Sequence, residues 1–433
     1  MSNATLNATY VRTVNGQAVG PDGNVAVSGG AELPSWGVGT GPFDPALAAY
    51  NLRPDNMRKW RAAKARAAAG LGQAHVSTMI DSITYGATSA TSNPKHIYTY
   101  PARLRDILQG RLGDGGTGIA TPWDIHELVG TPAADNRFTY AGAWTNRTFG
   151  VYAKGARETP VGAGNYVEFT ARCDEFVIYH MTSSGGYPRV TVDGGAEANI
   201  AAAGTATGQA TYQPETGHWG HGTLTQILVT HVPAGELGQH TLRIMPPSAS
   251  GKLVLLGVEG RIAGKGVRVS NLGLNGRASA QLAMDDTTNH YFGMSIALDS
   301  YRADLAVMLL GMNDYQGHVP VATFKANVAA AIDRQRSTGA QHAAGDVLLV
   351  TCPQPNYAAP IPADGVLDPP LSAYYTALYE LANEKDVPLL DMAWRWTDYT
   401  VSSGLGFFGD ALHPNNLGSS DIAQALGNVL LSV

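Results

Sequence analysis

The chain has 433 residues, of which 44% are hydrophobic and 15% charged, and its formal net charge is −6. This length predicts two or three domains, and the acidic balance without a dense Lys/Arg patch argues against nucleic acid as a partner. Cys173 and Cys352 stand far apart and fit no metal-binding spacing, so we expect both to be buried thiols. No apolar run reaches the ~18 residues of a transmembrane helix, and the N-terminus lacks the basic start and apolar core of a signal peptide. The sequence therefore predicts neither membrane insertion nor export by the usual route.

The first 40 residues are rich in turn signals. Val14 to Gly30 reads V-N-G-Q-A-V-G-P-D-G-N-V-A-V-S-G-G, in which Gly, Pro and Asp-Gly turns alternate with short β-prone pieces. One interpretation is a turn-rich leader without stable structure. The segment also resembles the connector of phage tail-fibre and receptor-binding proteins, which joins an attachment region to a distal domain. That resemblance implies an attachment segment over residues 1–40.

A helix over Leu52 to Ala69 precedes a short apolar run, Val76 to Ile80, which is typical of a buried parallel strand. The run ends in Asp81-Ser82, where the chain must turn. A serine at the carboxyl end of a central strand lies where open α/β sheets bind their ligands. An Asp-Ser pair after a strand is also a common helix cap, so this stretch alone leaves both interpretations open. A second helix and a glycine-rich boundary, G-D-G-G-T-G, complete a first part over residues 50–118.

The pattern changes between about Phe138 and Ile262. Short alternating runs recur between turn clusters, and they begin at Tyr166, Glu175, Arg189, Gln226, His240 and Lys252. Regular short strands without a helical period predict an inserted antiparallel β-sandwich over residues 137–263. V-T-V-D-G-G and G-Q-H-T-L-R-I resemble stretches of the galactose-binding-like jelly rolls found beside carbohydrate esterases. That resemblance implies a carbohydrate-binding-like insert, in which four side chains are candidates for sugar contact, with ordinary packing as the alternative: Trp144, His218, Trp219 and His221.

Strands and helices alternate again over residues 265–433. Strands are predicted at 267–270, 303–310, 347–351 and 387–390, and helices at 321–336, 371–384 and 419–431. This alternation predicts an α/β fold with a doubly wound parallel sheet, whose first strand lies before the β-sandwich.

Four polar stretches each follow a predicted strand or stand in the last loop: Ser82, the loop of Gly276, Asn313, and the D-A-L-H of Asp410 to His413. Because the carboxyl ends of parallel strands meet at one edge of a sheet, these groups can lie together. Ser82 can attack a carbonyl, His413 can take and return the proton, and Asp410 can orient the imidazole. The amides of Ser82, Gly276 and the Asn313 side chain can donate to the developing oxyanion. This chemistry requires no metal and no cofactor, and we predict none.

The same stretches, D-S-I-T-Y-G, N-L-G-L-N-G, G-M-N-D and D-A-L-H-P, resemble the four blocks of the SGNH (GDSL-like) hydrolase superfamily. The resemblance implies a flavodoxin-like α/β fold and assigns Ser82 as nucleophile, Asp410 and His413 as its partners, and Gly276 and Asn313 as oxyanion donors.

One departure from the superfamily pattern is Ile80, where the family has a glycine. Gly273 is the alternative to Gly276, which we prefer because the family's functional glycine usually stands at the end of its motif. Asp314 and His318, close to the Asn313 loop, are further candidates for substrate contact, together with Trp219 of the insert.

These observations leave three functions open. The first is a serine esterase that removes acyl groups, above all acetyl, from a cell-surface polysaccharide. The second is a non-catalytic glycan-binding adhesin of a phage tail, although a binding module does not need a Ser/His/Asp set. The third is a lipase or thioesterase on apolar acyl chains, which the absence of a long apolar lid disfavours.

The connector resemblance also implies where the protein works. We expect a component of a phage virion tail that acts at the host cell surface, with other tail proteins as partners. Fibre proteins are commonly trimers, so a homotrimer is the oligomer to test. A cytoplasmic esterase is the alternative.

Overall fold

The computed structural model describes residues 33–89, 95–122, 137–147, 156–160, 162, 164–182, 188–199, 210–212, 227–247, 252–283, 303–337, 344–356 and 369–433, with the pairs 13–14 and 17–18. The strands are β1 (Thr13–Val14), β2 (Gln17–Ala18), β3 (Phe43–Asp44), β4 (Ala49–Tyr50), β5 (Ala74–Met79), β6 (Phe138–Ala141), β7 (Thr145–Arg147), β8 (Ala156–Pro160), β9 (Tyr166–Thr182), β10 (Arg189–Val192), β11 (Ala198–Asn199), β12 (Ala210–Tyr212), β13 (Ile227–Met245), β14 (Lys252–Arg261), β15 (Val267–Leu272), β16 (Leu305–Leu310), β17 (Asp346–Thr351) and β18 (Leu389–Leu390). The helices are α1 (Arg58–Ala68), α2 (Ser82–Tyr85), α3 (Lys95–Tyr98), α4 (Tyr100–Leu112), α5 (Ala280–Ala283), α6 (Met312–Gln316), α7 (Val321–Arg336), α8 (Leu371–Glu384), α9 (Met392–Trp396), α10 (Tyr399–Gly404) and α11 (Asn416–Ser432).

Five parallel strands form the centre of one sheet, in the spatial order β15-β5-β16-β17-β18. Counted along the chain this order is 2-1-3-4-5, the doubly wound arrangement in which the connections reverse direction beside β5. The structure thus confirms the predicted α/β fold. The sheet is mixed, because β4 and β3 extend it antiparallel beyond β18. These two strands were not predicted, since two residues each are too few to show an alternating pattern.

Both faces of this sheet are covered. Every residue of β5, β16 and β17 is buried, which explains why their sequences are near-continuous apolar runs. One face packs against α7 and α8 through residues such as Phe324 and Leu378. The other packs against α1, α4 and α11 through Trp60, Leu104 and Leu426. Helices on both faces leave the carboxyl edge of the strands as the place where polar groups meet.

The strands from β6 to β14 form a second sheet, which is antiparallel and has nine strands in the described part of the chain. In chain order all of them fall between α4 and β15. The runs predicted as separate strands at Tyr166 and Glu175 belong to one long strand, β9, and those at Gln226 and His240 belong to β13. β13 continues through the irregularity between Pro233 and Gly238. A jelly-roll connectivity stays a prediction.

A buried charged group joins the two sheets. Glu259 of β14 is 0% exposed and accepts from Arg268 of β15 at 2.8 and 3.0 Å, and from Arg261 at 2.5 Å. Burial alone would raise the pKa of Glu259, but the neighbouring Arg261 and Arg268 guanidinium groups lower it to about 2. The antiparallel sheet is therefore held to β15 by an ionised pair away from water.

Both cysteines are buried free thiols, as predicted. No helix in the described ranges is long and apolar enough to cross a membrane.

Candidate active site

Ser82 is the first residue of α2, directly after the strand β5 and a sharp turn. Asp81 caps the short helix, because its Oδ1 accepts from the backbone N–H of Ile83 at 2.9 Å. The capping role and the placement of the serine at the sheet edge therefore occur together. Ser82 itself is 8% exposed.

Ile80 makes the turn between β5 and the cap. Its φ is +65°, in the left-handed region that β-branched residues rarely occupy, and the residue is 5% exposed. The turn is thus the one that a glycine would form without strain, although this chain places an isoleucine there. The departure from the superfamily pattern noted at Ile80 therefore coincides with a backbone conformation that favours glycine.

Asp81 has an unusual electrostatic environment beside the serine. Burial raises its pKa to about 7, although backbone N–H groups act in the opposite direction, and the nearby Asp314 carboxyl adds to the rise. Its Oδ2 has no hydrogen-bond partner among the described residues. At neutral pH a substantial fraction of this carboxyl is therefore protonated.

His413 lies within hydrogen-bond distance of both Ser82 and Asp410. Its Nε2 is 2.9 Å from Ser82 Oγ, and its Nδ1 is 2.9 Å from Asp410 Oδ2. Asp410 Oδ1 also accepts from the backbone N–H groups of Leu412 and His413, at 2.7 and 2.5 Å. The three side chains thus form one hydrogen-bonded chain, although Ser82 and His413 are 331 positions apart.

The carboxylate determines the tautomer of the imidazole. Partial burial raises the pKa of Asp410, but the bonds from the His413 ring and from the backbone N–H groups of His413 and Leu412 outweigh it, so the pKa lies below its usual value. An ionised carboxylate only accepts, so Nδ1 of His413 carries the proton and Nε2 presents its lone pair to Ser82. This is the arrangement that a general base requires.

Gly276 and Asn313 follow the two strands that flank β5, namely β15 and β16. Asn313 lies in the first turn of α6, and its Nδ2 donates to the carbonyl oxygen of Arg277 at 3.0 Å. That bond uses one of the two amide hydrogens and fixes the amide plane, so the second hydrogen remains to be donated. Gly276 has a φ of +70°, a conformation that explains a glycine at this position.

Gly273 has a different task from Gly276. A Cβ on Gly273 would stand 2.3 Å from the backbone nitrogen of Tyr85, so only glycine lets this loop pack against α2. Its own N–H is already bonded to Asn271 Oδ1 at 2.9 Å. The geometry therefore favours Gly276 over Gly273 as an oxyanion donor.

Asp314 is 1% exposed, and its carboxylate is occupied by Ser279, whose Oγ donates at 2.6 Å and whose N–H donates at 3.0 and 3.1 Å. This position corrects the expectation that Asp314 contacts the substrate. The carboxylate instead ties the Asn313 helix to the loop of Gly276. Sequence reasoning missed Ser279, since a serine without a motif gives no signal of such a link.

His318 is half-buried, with a φ of +53° after α6, and its contact with substrate stays a prediction. Trp219, His218 and His221 lie outside the described residues. Trp144 is half-buried, packs edge-on against Tyr140 with centroids 5.3 Å apart, and donates its Nε1–H to a backbone carbonyl. The indole N–H of Trp144 thus has a partner within the protein, and the contact of its ring with Tyr140 is ordinary packing.

Comparison with known proteins gives a family match and a likeness of fold. Residues 256–420 match the sequence model of the GDSL-like Lipase/Acylhydrolase family, and Ser82 lies before that stretch. Among solved structures, the chain is similar to a peptidoglycan O-acetylesterase, with a TM-score of 0.61 and 15% identity over 89% of this chain and 98% of that chain. It is also similar to a carbohydrate acetylesterase from Sinorhizobium meliloti, with a TM-score of 0.28 and 19% identity over 38% of this chain and 79% of that chain. No curated protein matches the sequence. At 15% identity the likeness to the peptidoglycan O-acetylesterase concerns the fold alone.

Proposed function

We propose that this chain, a carboxylic ester hydrolase with a GDSL-like lipase/acylhydrolase (SGNH) domain, removes O-acetyl groups from a cell-surface polysaccharide by attack of Ser82. The observation that carries the proposal is the hydrogen-bonded chain from Ser82 through His413 to Asp410. A serine hydroxyl is a weak nucleophile, and a base that is itself oriented by a carboxylate supplies the activation it needs.

In the first half-reaction Ser82 Oγ bonds to the acyl carbon while its proton passes to His413 Nε2. The resulting imidazolium is stabilised by Asp410, whose carboxylate stays ionised. When the tetrahedral intermediate collapses, the bond to the sugar oxygen breaks, and that oxygen takes the proton from Nε2. The products are a free sugar hydroxyl and an acetyl ester on Ser82.

The negative charge on the carbonyl oxygen is met by three donors in this proposal: the N–H groups of Ser82 and Gly276 and the remaining Nδ2 hydrogen of Asn313. Donors held in place before the reaction cost no reorganisation when the charge develops. The bond from Asn313 to Arg277 and the bonds from Ser279 to Asp314 provide that fixed placement.

In the second half-reaction water replaces the sugar. His413 Nε2 takes a proton from the water as its oxygen bonds to the acyl carbon, and then returns a proton to Ser82 Oγ as the ester bond breaks. Acetate leaves and the resting state is restored. All proton transfers use one nitrogen that already lies 2.9 Å from Ser82 Oγ.

The proposed substrate class follows from the likeness to a peptidoglycan O-acetylesterase, which extends over 89% of this chain. A likeness of that extent takes in more of this chain than the α/β part. We therefore assign acetylated polysaccharide as the substrate, with the antiparallel sheet as a candidate for holding it. Whether the antiparallel sheet binds sugar is a separate part of the proposal.

The test is acetate release from O-acetylated peptidoglycan and from other O-acetylated polysaccharides, beside aryl esters of short and long acyl chains. The intact chain should release acetate from polysaccharide and cleave acetyl aryl esters, while Ser82→Ala should do neither. Hydrolysis confined to long-chain esters would support the lipase alternative. Glycan binding without any hydrolysis would support the adhesin.

We further propose that the protein acts at a host cell surface as part of a phage tail. The support is the connector-like sequence of Val14 to Gly30, which lies outside the described residues apart from Val14 and the pair 17–18. Detection of the chain in purified virions, with light scattering for a homotrimer, tests this part. Absence from virions would favour the cytoplasmic alternative.

A further inference from the structure

We propose that Thr88 is a positioning residue that holds the loop of His413 against the nucleophile. This inference rests on the proposed function, because it concerns the distance between Ser82 and its base. Thr88 lies in the turn after α2, beyond the D-S-I-T-Y-G stretch that contains Ser82.

The Thr88 hydroxyl contacts two successive backbone carbonyls, those of His413 and Pro414. Its Oγ1 donates to the carbonyl oxygen of Pro414 at 2.8 Å and lies 3.2 Å from the carbonyl oxygen of His413. One hydroxyl thus spans two successive carbonyls of the loop that carries the imidazole. Pro414 has no N–H, so it cannot itself donate a backbone hydrogen bond that would hold this part of the loop.

The two residues before Thr88 are hydrogen-bonded to the backbone of Ser82. The N–H groups of Gly86 and Ala87 donate to the carbonyl oxygen of Ser82 at 2.9 and 3.0 Å. Gly86 has a φ of +87°, and a Cβ there would stand 2.3 Å from Thr99, so the turn is tightly packed. The turn that carries Thr88 is therefore restrained relative to the backbone of the nucleophile.

The loop that carries His413 has a glycine, Gly409, where Thr88 approaches it. A Cβ on Gly409 would stand 2.8 Å from Thr88 Oγ1 and 2.9 Å from its Cβ, so a glycine is what allows the approach. The N–H of Gly409 also donates to the carbonyl oxygen of His413 at 2.9 Å. That carbonyl is consequently held from both sides.

The bonds of Thr88 have a different effect from those of the Asp410 carboxylate. Asp410 bonds to the ring and backbone of His413, and these bonds orient the imidazole within its own loop. They do not fix the distance from that loop to Ser82. Asp410 is also 46% exposed, so the outer side of the loop faces water. Thr88 supplies the restraint between the two segments whose side chains must meet.

The test compares Thr88→Val, which removes the hydroxyl but keeps the branched shape, with Thr88→Ser, which keeps the hydroxyl. Thr376→Val is the matched control, because Thr376 Oγ1 also spans two carbonyls, those of Trp36 and Ser372, at 2.9 and 3.1 Å. We expect Thr88→Val to lower kcat on acetyl aryl esters about tenfold with KM almost unchanged, since small displacements of a catalytic pair are costly. We expect Thr88→Ser and Thr376→Val to stay within about twofold of the unmodified chain.

Three results would overturn the inference: a Thr88→Val kcat within about twofold of the unmodified value, an equal loss in Thr88→Ser, or an equal loss in Thr376→Val. Ser82→Ala is measured in parallel. If Ser82→Ala retains turnover, the proposed function itself fails. If Ser82→Ala is inactive while Thr88→Val is unimpaired, only the role of Thr88 fails.

Discussion

Replacement of Ile80 tests whether the turn before Ser82 holds the backbone strain that its φ of +65° indicates. An L-residue in the left-handed region costs about 1–2 kcal/mol, and glycine avoids this cost. Truncation of a buried isoleucine to alanine costs about 2–5 kcal/mol wherever it lies, because of lost burial and the cavity. Ile80 is 5% exposed, so we expect both Ile80→Ala and Ile80→Gly to destabilise the protein.

The informative quantity is the difference in unfolding free energy between the two Ile80 variants. At an ordinary position glycine is less stable than alanine by about 0.5–1 kcal/mol. At Ile80 the relief of about 1–2 kcal/mol of strain opposes that loss, so Ile80→Gly should be more stable than Ile80→Ala by about 0–1.5 kcal/mol. Ile80→Gly should thus be at least as stable as Ile80→Ala, whereas at an ordinary position the glycine variant is the less stable one.

Val76 provides the control, since it lies in the preceding strand β5, is 0% exposed and has no positive φ. Val76→Gly should be less stable than Val76→Ala by the ordinary margin. Urea unfolding of all four variants gives the free energies, and acetyl-ester turnover of Ile80→Gly shows whether the site keeps its shape. If the glycine variant is less stable than the alanine variant by the same unfolding free energy at Ile80 as at Val76, the strain argument is refuted.

Further predictions concern the oxyanion donor, the orienting carboxylate, metal independence and the charged group between the sheets. Asn313→Ala should lower kcat about 100- to 1000-fold with little change in KM, as steady-state kinetics will show, and a purely KM effect would contradict its role. Asp410→Asn should lower kcat by about 10³ to 10⁴ because the imidazole tautomer is no longer fixed; full activity would remove Asp410 from the mechanism. Activity should survive dialysis against a chelator, and restoration by added zinc after a loss would overturn that expectation. Because the folded pKa of Glu259 is about 2 against an ordinary value of 4.5, its stabilising contribution is present above about pH 5 and lost as the pH falls toward 2. The unfolding free energy of the unmodified chain, relative to Glu259→Gln, should therefore fall by about 3 kcal/mol over that window, whereas a pH-independent difference would show that the ion pair is not formed.

Much of the α/β part could be predicted because its signals are local. Strands buried on both faces give continuous apolar runs, as at Leu305–Leu310, and their alternation with helices fixes a parallel sheet. The motif order then placed Ser82, Asn313 and His413 at one edge. The hydrogen-bonded distances could not be derived from sequence, since they depend on how loops far apart in the chain approach each other.

The misses have identifiable physical causes. Short strands such as Phe43–Asp44 show no alternating pattern, and β9 continues from Tyr166 to Thr182, where two separate strands were predicted. Asp314 was taken as a substrate contact because only its distance along the chain from Asn313 was known, whereas burial turns it toward Ser279. Such links leave no periodic or compositional trace.

The central claim is that Ser82 is the nucleophile, and a fluorophosphonate probe tests it most directly. Such a probe phosphonylates an activated serine, and mass spectrometry of the digested protein locates the adduct. The account predicts one adduct, on Ser82, with labelling abolished in Ser82→Ala and strongly slowed in His413→Ala because the base is lost. An adduct on another serine, such as the nearby Ser89, or undiminished labelling of Ser82→Ala, would contradict the account.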